Sequence, residues 1–367
     1  RLLSDEKAVT RIVDFAANQV FAATTYTCLL FLQKSGGKSF QYAEAKAEPE
    51  SLSTAVFSKR ESKALGSTAW TFENREAATL LVKLAQKTKR LLDLPADMSR
   101  GSSTGDDEVF VFETGTLDIE TGIVREPMFA SDFGRYNFAP AGKWKVIFPY
   151  ASDGDGFWLY SERELKSRFP RTYAHLQENQ AALKRRKQYR DWFGYSAPRN
   201  LELHDRAQIA IPLLADRGLF ALIPDRKSGR LCPMASGGFT ITLSRQCPVG
   251  PEYVLGLLNS KVLFWRLRTL SNLFRGGWIT CTKQYFGELP IRLIDFSDRA
   301  DKSRHDQMVK LVDQMLALHK QLSAAKTPPE KTAFERQIAA TDQQIDALVY
   351  ELYGLTEKEI EIVENKR

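Results

Sequence analysis

The sequence contains little of what metal sites, disulfides and membrane spans require. Its 367 residues include only four cysteines and four histidines. The cysteines form no C-x-x-C pair and have no histidine at ligand spacing, which argues against structural zinc and in favour of reduced thiols in a cytosol. The longest apolar run, residues 28–32, is far too short to cross a bilayer. We therefore expect a cytoplasmic protein without membrane contacts.

Motifs that carry catalysis are also missing. The sequence contains no G-x-G-x-x-G motif, no phosphate-binding P-loop and no G-x-S-x-G nucleophile elbow. Its histidines are scattered, so we interpret them as packing or surface residues rather than as bases. The segment I-P-D-R-K at 223–227 lacks the second acidic residue and the spaced lysine of a nuclease signature. We therefore assign no catalytic, cofactor-binding or metal-binding residue.

Positive charge is in excess, and the excess is confined to one segment. The whole chain carries a net charge of +7. Residues 161–300 contain 23 Lys and Arg against 12 Asp and Glu, a net charge of +11, whereas residues 1–160 and 301–367 each have a net charge of −2. Such a confined basic surface is typical of a domain that binds a polyanion, because neutralised phosphates release counterions. An ordinary solvated surface rich in arginine explains the charge equally well.

The first 34 residues predict a helix followed by a strand. Residues 12–20 carry apolar side chains at helical spacing, and residues 21–32 are rich in strand-forming side chains. Because the run at 28–32 is apolar on both faces, we expect it to lie inside a sheet that is covered on both sides. One helix and one strand cannot form a domain, so we expect the chain to be a piece of a longer protein.

The rest of the chain predicts an α+β fold with mixed sheets that ends in an antiparallel helical hairpin. Apolar spacing indicates helices at about 74–92, 170–190 and 251–270, with short strands between them. In the last 67 residues, two amphipathic helices are joined at T-P-P-E, a capping box with proline at the first helical position. We expect this hairpin to pack on its own domain, and an interface with a partner is the less favoured interpretation.

Several segments occur in an order typical of one family. A helix, an Arg-Gly-Gly loop and a Leu-Pro-Ile strand follow one another, and other segments precede and follow them. Over essentially its whole length, the chain resembles the C-terminal half of bacterial type IIG restriction–modification enzymes and related adenine-specific DNA methyltransferases, including the TaqI-like specificity domain. The segments are D-F-G-R-Y (132–136), P-R-N-L-E-L (198–203), I-A-I-P (209–212), Y-V-L-G-L-L-N-S-K (253–261), F-R-G-G-W (274–278), K-Q-Y-F-G-E-L-P-I (283–291) and I-D-A-L-V-Y-E-L-Y-G-L-T (345–356).

The resemblance implies a division of labour within a longer parent protein. Residues 11–27 are similar to the last helix and strand of a methyltransferase catalytic domain, but the family's cofactor-binding glycine motif and its N-P-P-Y motif are absent. The parent would use S-adenosylmethionine and flip its target adenine, whereas this part needs no cofactor and would recognise double-stranded DNA. Its partners would be that DNA and the missing methyltransferase domain of the same chain. The expected domains are the end of the catalytic domain (1–40), a helical connector (41–105), a DNA target recognition domain (106–300) and the hairpin (301–367).

The Arg-Gly-Gly loop is the expected reader of bases. Two glycines permit positive φ or a close approach to a partner, Arg275 matches guanine in the major groove, and Gln284 matches adenine. We interpret the flanking aromatic residues mainly as anchors of the turn. Phosphate contacts are expected at the basic end of the helix at 170–190, and the loop at 225–230 is either a groove contact or a solvent-facing hairpin. The candidate DNA contacts are Arg135, Tyr136, Lys184, Arg186, Lys187, Arg190, Arg226, Lys227, Arg230, Lys261, Arg275, Gly276, Gly277, Trp278, Lys283 and Gln284.

Two interpretations from other functional classes stay open. In the first, the chain is a nuclease in its own right, with acidic residues that converge only in the fold. In the second, it is an interaction scaffold built on the helical hairpin. DNA binding without cleavage in magnesium separates the recognition module from the nuclease. Loss of DNA binding on deletion of residues 301–367 without unfolding favours the scaffold.

Overall fold

The computed structural model confirms an α+β fold with mixed sheets. Helices and short strands alternate as far as residue 292, and the elements described beyond that point are all helices. No helix in the described part of the chain is long and apolar enough to cross a membrane. The structure describes residues 2–15, 18, 20–21, 27–34, 36–46, 48–65, 75–140, 142–153, 156–224, 230–271, 273 and 277–364.

A four-stranded sheet and two short helices form the first part of the chain. In chain order they are α1 (Leu2–Asp5), β1 (Val9–Asp14), β2 (Cys28–Leu32), β3 (Ser39–Glu44), α2 (Pro49–Ser53) and β4 (Ser58–Glu61). The strand order is β2-β1-β3-β4. β1 pairs antiparallel with β2 and parallel with β3, and β4 pairs antiparallel with β3.

The structure corrects two expectations for this sheet. Residues 9–14 form a strand and not a helix: the consecutive β-branched residues Ile12 and Val13 are both buried, one on each face of the sheet. The strand at 28–32 is confirmed, but it lies at the edge of the sheet and not in its interior. All five of its side chains are exposed.

The central region, residues 75–292, combines short strands with short helices. Its first elements are α3 (Arg75–Leu84), β5 (Thr88–Arg90), β6 (Ala96–Arg100), α4 (Asp107–Phe110), β7 (Val111–Glu113), β8 (Val124–Met128), β9 (Phe133–Gly134), β10 (Asn137–Phe138), β11 (Trp144–Ile147), β12 (Tyr150–Ser152), β13 (Phe157–Leu159), α5 (Glu162–Arg168), α6 (Pro170–Glu178) and α7 (Gln180–Lys184). The helix predicted at 170–190 is thus present as two short helices that end at Lys184.

The remaining elements lead to the C-terminal helices. They are α8 (Leu201–His204), β14 (Ile209–Ile211), β15 (Leu214–Ala215), β16 (Ala221–Leu222), β17 (Leu231–Pro233), β18 (Phe239–Leu243), α9 (Pro251–Asn259), α10 (Lys261–Leu270), β19 (Ile279–Thr280), α11 (Lys283–Phe286), β20 (Pro290–Arg292), α12 (Arg299–Ala324), α13 (Pro328–Leu352) and α14 (Glu357–Glu364). The helix predicted at 251–270 is interrupted at Ser260, whose Oγ accepts the N–H of Leu263 and caps α10.

Two four-stranded sheets organise the central region. One is antiparallel, in the order β16-β14-β18-β6. The other is mixed, in the order β17-β8-β11-β7, because β17 pairs parallel with β8. Smaller pairs join β9 with β10, β12 with β13, β15 with β19, and β5 with β20.

The main core forms where α9 packs against the C-terminal helical hairpin. A glycine permits the close approach, since a Cβ on Gly256 would lie 2.5 Å from Sδ of Met308. The predicted hairpin is confirmed, with its capping box at Thr327 and Glu330. Its apolar residues are buried against the region that precedes residue 300; in α12 and α13 they include Met308, Val312, Met315, Ile345, Leu348 and Val349.

A second core is rich in aromatic side chains. It joins the mixed sheet to α5, α6 and α7. Tyr195 lies at its centre, with the rings of Phe110 and Tyr150 each 5.3 Å away in edge-to-face geometry. The hydroxyl of Tyr195 donates to the carbonyl of Ile147 at 2.7 Å. This core supports the end of α7, where the basic residues begin.

Candidate functional site

A basic turn, defined as residues 184–190, follows the end of α7. Lys184, Arg185, Lys187 and Arg190 are exposed on it. Among the residues that the structure describes, none forms a hydrogen bond or an ion pair with the side chain of Lys187 or Arg190. Their charges are therefore available to an anion in solution.

Arg186 stabilises the basic turn through hydrogen bonds to backbone carbonyls. Its guanidinium donates to the carbonyl oxygens of Thr104, Gly194 and Trp192, and its Nε donates to the carbonyl of Leu183 at 2.9 Å. Burial lowers the pKa of this guanidinium, an effect that the nearby Asp106 opposes. Arg186, which the sequence predicts as a DNA contact, thus has its partners within the protein. All three nitrogens of its guanidinium already donate to backbone carbonyls, and its role is to shape the turn that presents the other cations.

The glycine loop, defined as residues 274–278, is closed at its base by two contacts. Leu273 and Ile279 form an antiparallel bridge, and Oγ of Ser271 donates to the carbonyl of Thr280 at 2.6 Å. Gly277 has a φ of +80°, and a Cβ placed on it would meet nothing within 4 Å. Glycine is thus favoured at this position because of its positive φ, and not because a larger side chain would clash with a neighbour. Phe274, Arg275 and Gly276 lie outside the described residues.

Trp278 does not anchor the glycine loop in the core. Its side chain is 39% exposed, so the expectation that it fills the interior is wrong, and the ring is open to a partner. Lys283 and Gln284 follow at the start of α11, and both are exposed. The end of the glycine loop and the start of α11 therefore present an aromatic ring, a cation and an amide to solvent.

The pairing of β15 with β19 brings a further cation close to the glycine loop. Leu214 pairs with Thr280 and Ala215 with Ile279, and continuing this register places Asp216 beside Trp278. Arg217 follows, with 68% of its side chain exposed. Sequence reasoning missed Arg217, although Asp216-Arg217-Gly218 after a short apolar run is a turn signal that indicates an exposed position.

The structure removes Arg135 and Tyr136 from the set of exposed candidates. They form the turn between β9 and β10, where Tyr136 has a φ of +56° and is buried. The guanidinium of Arg135 pairs with Asp342 of α13 and donates to the carbonyls of Gly218 and Asn259. Both residues therefore join the β9–β10 turn to the main core instead of facing a ligand.

Lys261 is exposed, and its side chain also pairs with carboxylates of the same protein. Its ammonium lies 2.7 Å from Oε1 of Glu364 and 3.6 Å from Oδ2 of Asp346. Its backbone N–H also donates to Asp346 at 2.9 Å. These contacts link the start of α10 to α13 and α14, while about half of the Lys261 side chain, 49%, faces solvent.

The segment between β16 and β17 connects two sheets. β16 belongs to the antiparallel sheet and β17 to the mixed sheet, so the expected hairpin at this position is wrong. Arg226 and Lys227 lie outside the described residues. Arg230 is exposed, and its carbonyl accepts the N–H of Glu126 at 3.0 Å. One cation of this predicted group is therefore placed at the surface beside β8.

The buried titratable residues form structural contacts. Burial, followed by the nearby charge of Arg125, lowers the pKa of His204 to about 3, and its Nε2 lies 3.1 Å from the carbonyl of Arg199. Arg125 is itself buried and pairs with Asp205 through both terminal nitrogens, at 2.9 and 3.1 Å. Within the described ranges no three His, Cys, Asp or Glu side chains come together as metal ligands.

Comparison with known proteins identifies a curated relative and solved structures with a similar chain. The chain is 24% identical, over 99% of its length, to the type II restriction enzyme and methyltransferase RM.Eco57I of Escherichia coli. It spans 39% of the length of that relative. The crystal structure of the type IIG restriction endonuclease BpuSI overlays 96% of this chain and 45% of its own, with 10% identity and a TM-score of 0.42, which does not establish a common fold.

No protein-family model matches the sequence. The similarity to the Escherichia coli enzyme nevertheless covers 99% of this chain. It therefore confirms the resemblance that these segments predict. The chain is a relative of the type II restriction–modification enzymes.

Proposed function

We propose that this chain binds double-stranded DNA and selects the sequence on which a restriction–modification enzyme acts. The observation that carries the proposal is the division of the basic residues in 161–300 into two groups. Arg186 and Arg292 are paired within the protein. Lys184, Arg185, Lys187 and Arg190 of the basic turn and Lys283 beside the glycine loop face solvent.

The basic turn would bind phosphates. Its cations sit on flexible side chains, but the turn beneath them is held by Arg186 and by the aromatic core. Such an arrangement fixes the position of the protein on a duplex without reading its sequence. Each phosphate that is neutralised releases counterions, so the contribution of the turn would fall as salt rises.

The glycine loop would read bases. The bridge between Leu273 and Ile279 closes the base of the loop, and we expect the residues between them to enter the major groove. Arg275 would donate in a bidentate manner to guanine, and Gln284 could pair with adenine in the same groove. The exposed ring of Trp278 would pack against the sugar or the base edge next to them.

Methyl transfer and cleavage would depend on other parts of the enzyme. The motifs that bind S-adenosylmethionine and the N-P-P-Y motif do not occur in this sequence, so we assign no step of methyl transfer to its residues. We propose that a methyltransferase part of the same polypeptide holds the cofactor and receives a flipped adenine. The residues described here would hold the duplex in register for it.

The test is a binding experiment on the 367-residue chain. A labelled duplex library with a randomised centre is selected through several rounds, and the affinity for the selected and starting pools is measured at one salt concentration. The proposal predicts a shared sequence in the selected pool and a clear affinity difference between the pools. Cleavage of the duplex in magnesium by the purified chain would instead support a nuclease, and equal affinity for both pools would contradict sequence selection.

A further inference from the structure

The turn that follows β15 lies beside the glycine loop. Ala215 is the last residue of β15 and Ile279 is the first residue of β19, and these two residues are paired. Ile279 also forms the bridge with Leu273 that closes the glycine loop. The chain after Ala215 and the chain before Ile279 therefore leave the sheet at the same end. Arg217 lies at this end, next to the glycine loop.

The backbone on both sides of Arg217 is fixed by the main core. Ala215 is fully buried, and the carbonyl of Gly218 accepts a hydrogen bond from Arg135 at 3.1 Å. A Cβ on Gly218 would lie 2.7 Å both from Nη1 of Arg135 and from the carbonyl oxygen of Asn259, so the chain packs closely at this point. The side chain of Arg217 is nevertheless 68% exposed. It thus extends into solvent from a backbone that is already held in position.

Asp216 pairs with the guanidinium of its neighbour. Its Oδ2 lies 3.5 Å from Nη1 of Arg217. Its Oδ1 is buried and has no hydrogen-bond donor within the part of the chain that the structure describes. Because a buried acceptor without a donor costs free energy, stability does not explain a carboxylate at this position. Its pairing with Arg217 indicates that it orients the guanidinium.

We propose that Arg217 reads a guanine in the major groove and that Asp216 is the residue that positions it. The inference rests on the proposed function and adds to the glycine loop a second residue that reads bases. Arginine recognises guanine by donating two hydrogen bonds, to O6 and N7. With Nη1 of Arg217 directed to Asp216, the opposite edge of the guanidinium, formed by Nε and Nη2, is available for this pair of bonds.

A phosphate contact is the alternative role for this cation, and the neighbouring carboxylate disfavours it. Lys187 and Arg190 of the basic turn have no acidic partner among the described residues, as suits a phosphate contact. Arg217 and Asp216 together carry no net charge, so their attraction to a phosphate is weak. Hydrogen bonds to a neutral base do not depend on net charge in this way, so the pair fits a base better than a phosphate.

The test uses the 367-residue chain and the duplex selected from the randomised library. Each base pair of that duplex is replaced in turn, and affinities are measured at one salt concentration. We expect the wild-type chain to lose about 5- to 150-fold in affinity when one particular G·C pair is replaced. Arg217→Ala should be indifferent to that replacement and should discriminate the other base pairs as the wild type does. At the same pair, 7-deazaguanine, which lacks the N7 acceptor, should weaken binding by the wild type but not by Arg217→Ala.

Three further variants separate positioning, charge and base reading. Arg217→Lys keeps the charge but loses the planar pair of donors, so it should not restore discrimination at the G·C pair. Asp216→Asn should weaken discrimination at that pair, tighten binding to random duplexes and leave the thermal stability undiminished, a combination that a merely structural residue would not produce. Arg245→Ala is the control, because Arg245 is an exposed arginine in the loop between β18 and α9. It should discriminate every base pair as the wild type does.

Each contrary result has a distinct meaning. If Arg217→Ala discriminates every base pair as the wild type does, Arg217 does not read a base. If Arg217→Ala weakens binding to all duplexes equally and Arg217→Lys restores it, Arg217 is a phosphate contact and the inference is wrong. A wild-type chain that shows no preference at any base pair contradicts the proposed function, and the inference with it. That failure is seen before any variant is made, so the two failures are distinguishable.

Discussion

Arg135 and Asp342, 207 residues apart in the sequence, form a bidentate ion pair. Nε of Arg135 lies 3.1 and 3.2 Å from the two carboxylate oxygens, and Nη2 also donates to Oδ1. The same guanidinium donates to the carbonyls of Asn259 at 2.6 Å and Gly218 at 3.1 Å. One side chain therefore connects the β9–β10 turn, the end of α9 and the helical hairpin.

Replacing this arginine should destabilise the fold rather than weaken ligand binding directly. Arg135→Ala would leave Asp342 without its partner and the two carbonyls without a donor. We expect a loss of about 2–3 kcal/mol in the free energy of unfolding, below the roughly 3–5 kcal/mol of a fully buried pair, since both side chains are partly exposed. Denaturant unfolding measures the change.

Arg217→Ala serves as the matched control, because the Arg217–Asp216 pair is more exposed. Removing it should change the free energy of unfolding by no more than about 0.5–1 kcal/mol. Equal losses for Arg135→Ala and Arg217→Ala would contradict the structural role of Arg135.

Acid should destabilise the protein through His204 before the carboxylates titrate. Burial lowers its pKa to about 3, so the folded state keeps it neutral while the unfolded state takes up a proton below about pH 6.5. The unfolded state then binds more protons, and stability falls as pH decreases, by up to about 1.4 kcal/mol per pH unit. In unfolding titrations between pH 6.5 and 5, His204→Gln should flatten this slope. Ser102→Ala, which changes a neighbour of the ring and keeps the histidine, should preserve it.

The elements that the sequence predicts well are those determined by local pattern. α12, α13 and the capping box at Thr327 follow from apolar spacing and from residues three positions apart. Residues 12–15 fit both helical and strand spacing, and only pairing with β2 and β3 decides between them. The interior role of Arg135 depends on a carboxylate 207 positions away. Without that partner in view, an arginine beside a glycine looks like a surface contact.

Within the basic turn, exposed cations and Arg186 should behave differently when replaced. Changing Lys187→Ala and Arg190→Ala together should leave stability within about 0.5 kcal/mol and weaken binding to all duplexes equally. The slope of log affinity against log salt should flatten by about 0.9 for each lost phosphate contact.

Arg186→Ala should instead lower the free energy of unfolding by at least about 1–3 kcal/mol, because buried carbonyls lose their donor. Denaturant unfolding and salt titrations of both variants separate these effects. If the double change Lys187→Ala and Arg190→Ala destabilises the fold as much as Arg186→Ala does, the structural role of Arg186 and the ligand-binding role of the exposed cations are not distinct.

Gly277 should matter for discrimination between sequences rather than for packing. Gly277→Ala places a side chain in open space but at a φ of +80°, so we expect a strain of about 1 kcal/mol and a displaced loop. Gly134→Ala is the control, since its added Cβ also meets nothing within 4 Å and its φ is not positive. The ratio of affinities for selected and random duplexes should fall for Gly277→Ala only. An equal ratio in both variants would contradict a reading role for the loop.

We propose that this chain distinguishes one DNA sequence from others through the glycine loop. The most direct measurement is the ratio of affinities for the selected duplex and for random duplex, at one salt concentration, for the wild-type chain and for Arg275→Ala. We expect Arg275→Ala to cost about 1–3 kcal/mol on the selected duplex and less on random DNA, as for a lost bidentate base contact. An unchanged ratio in a folded Arg275→Ala protein would contradict the claim.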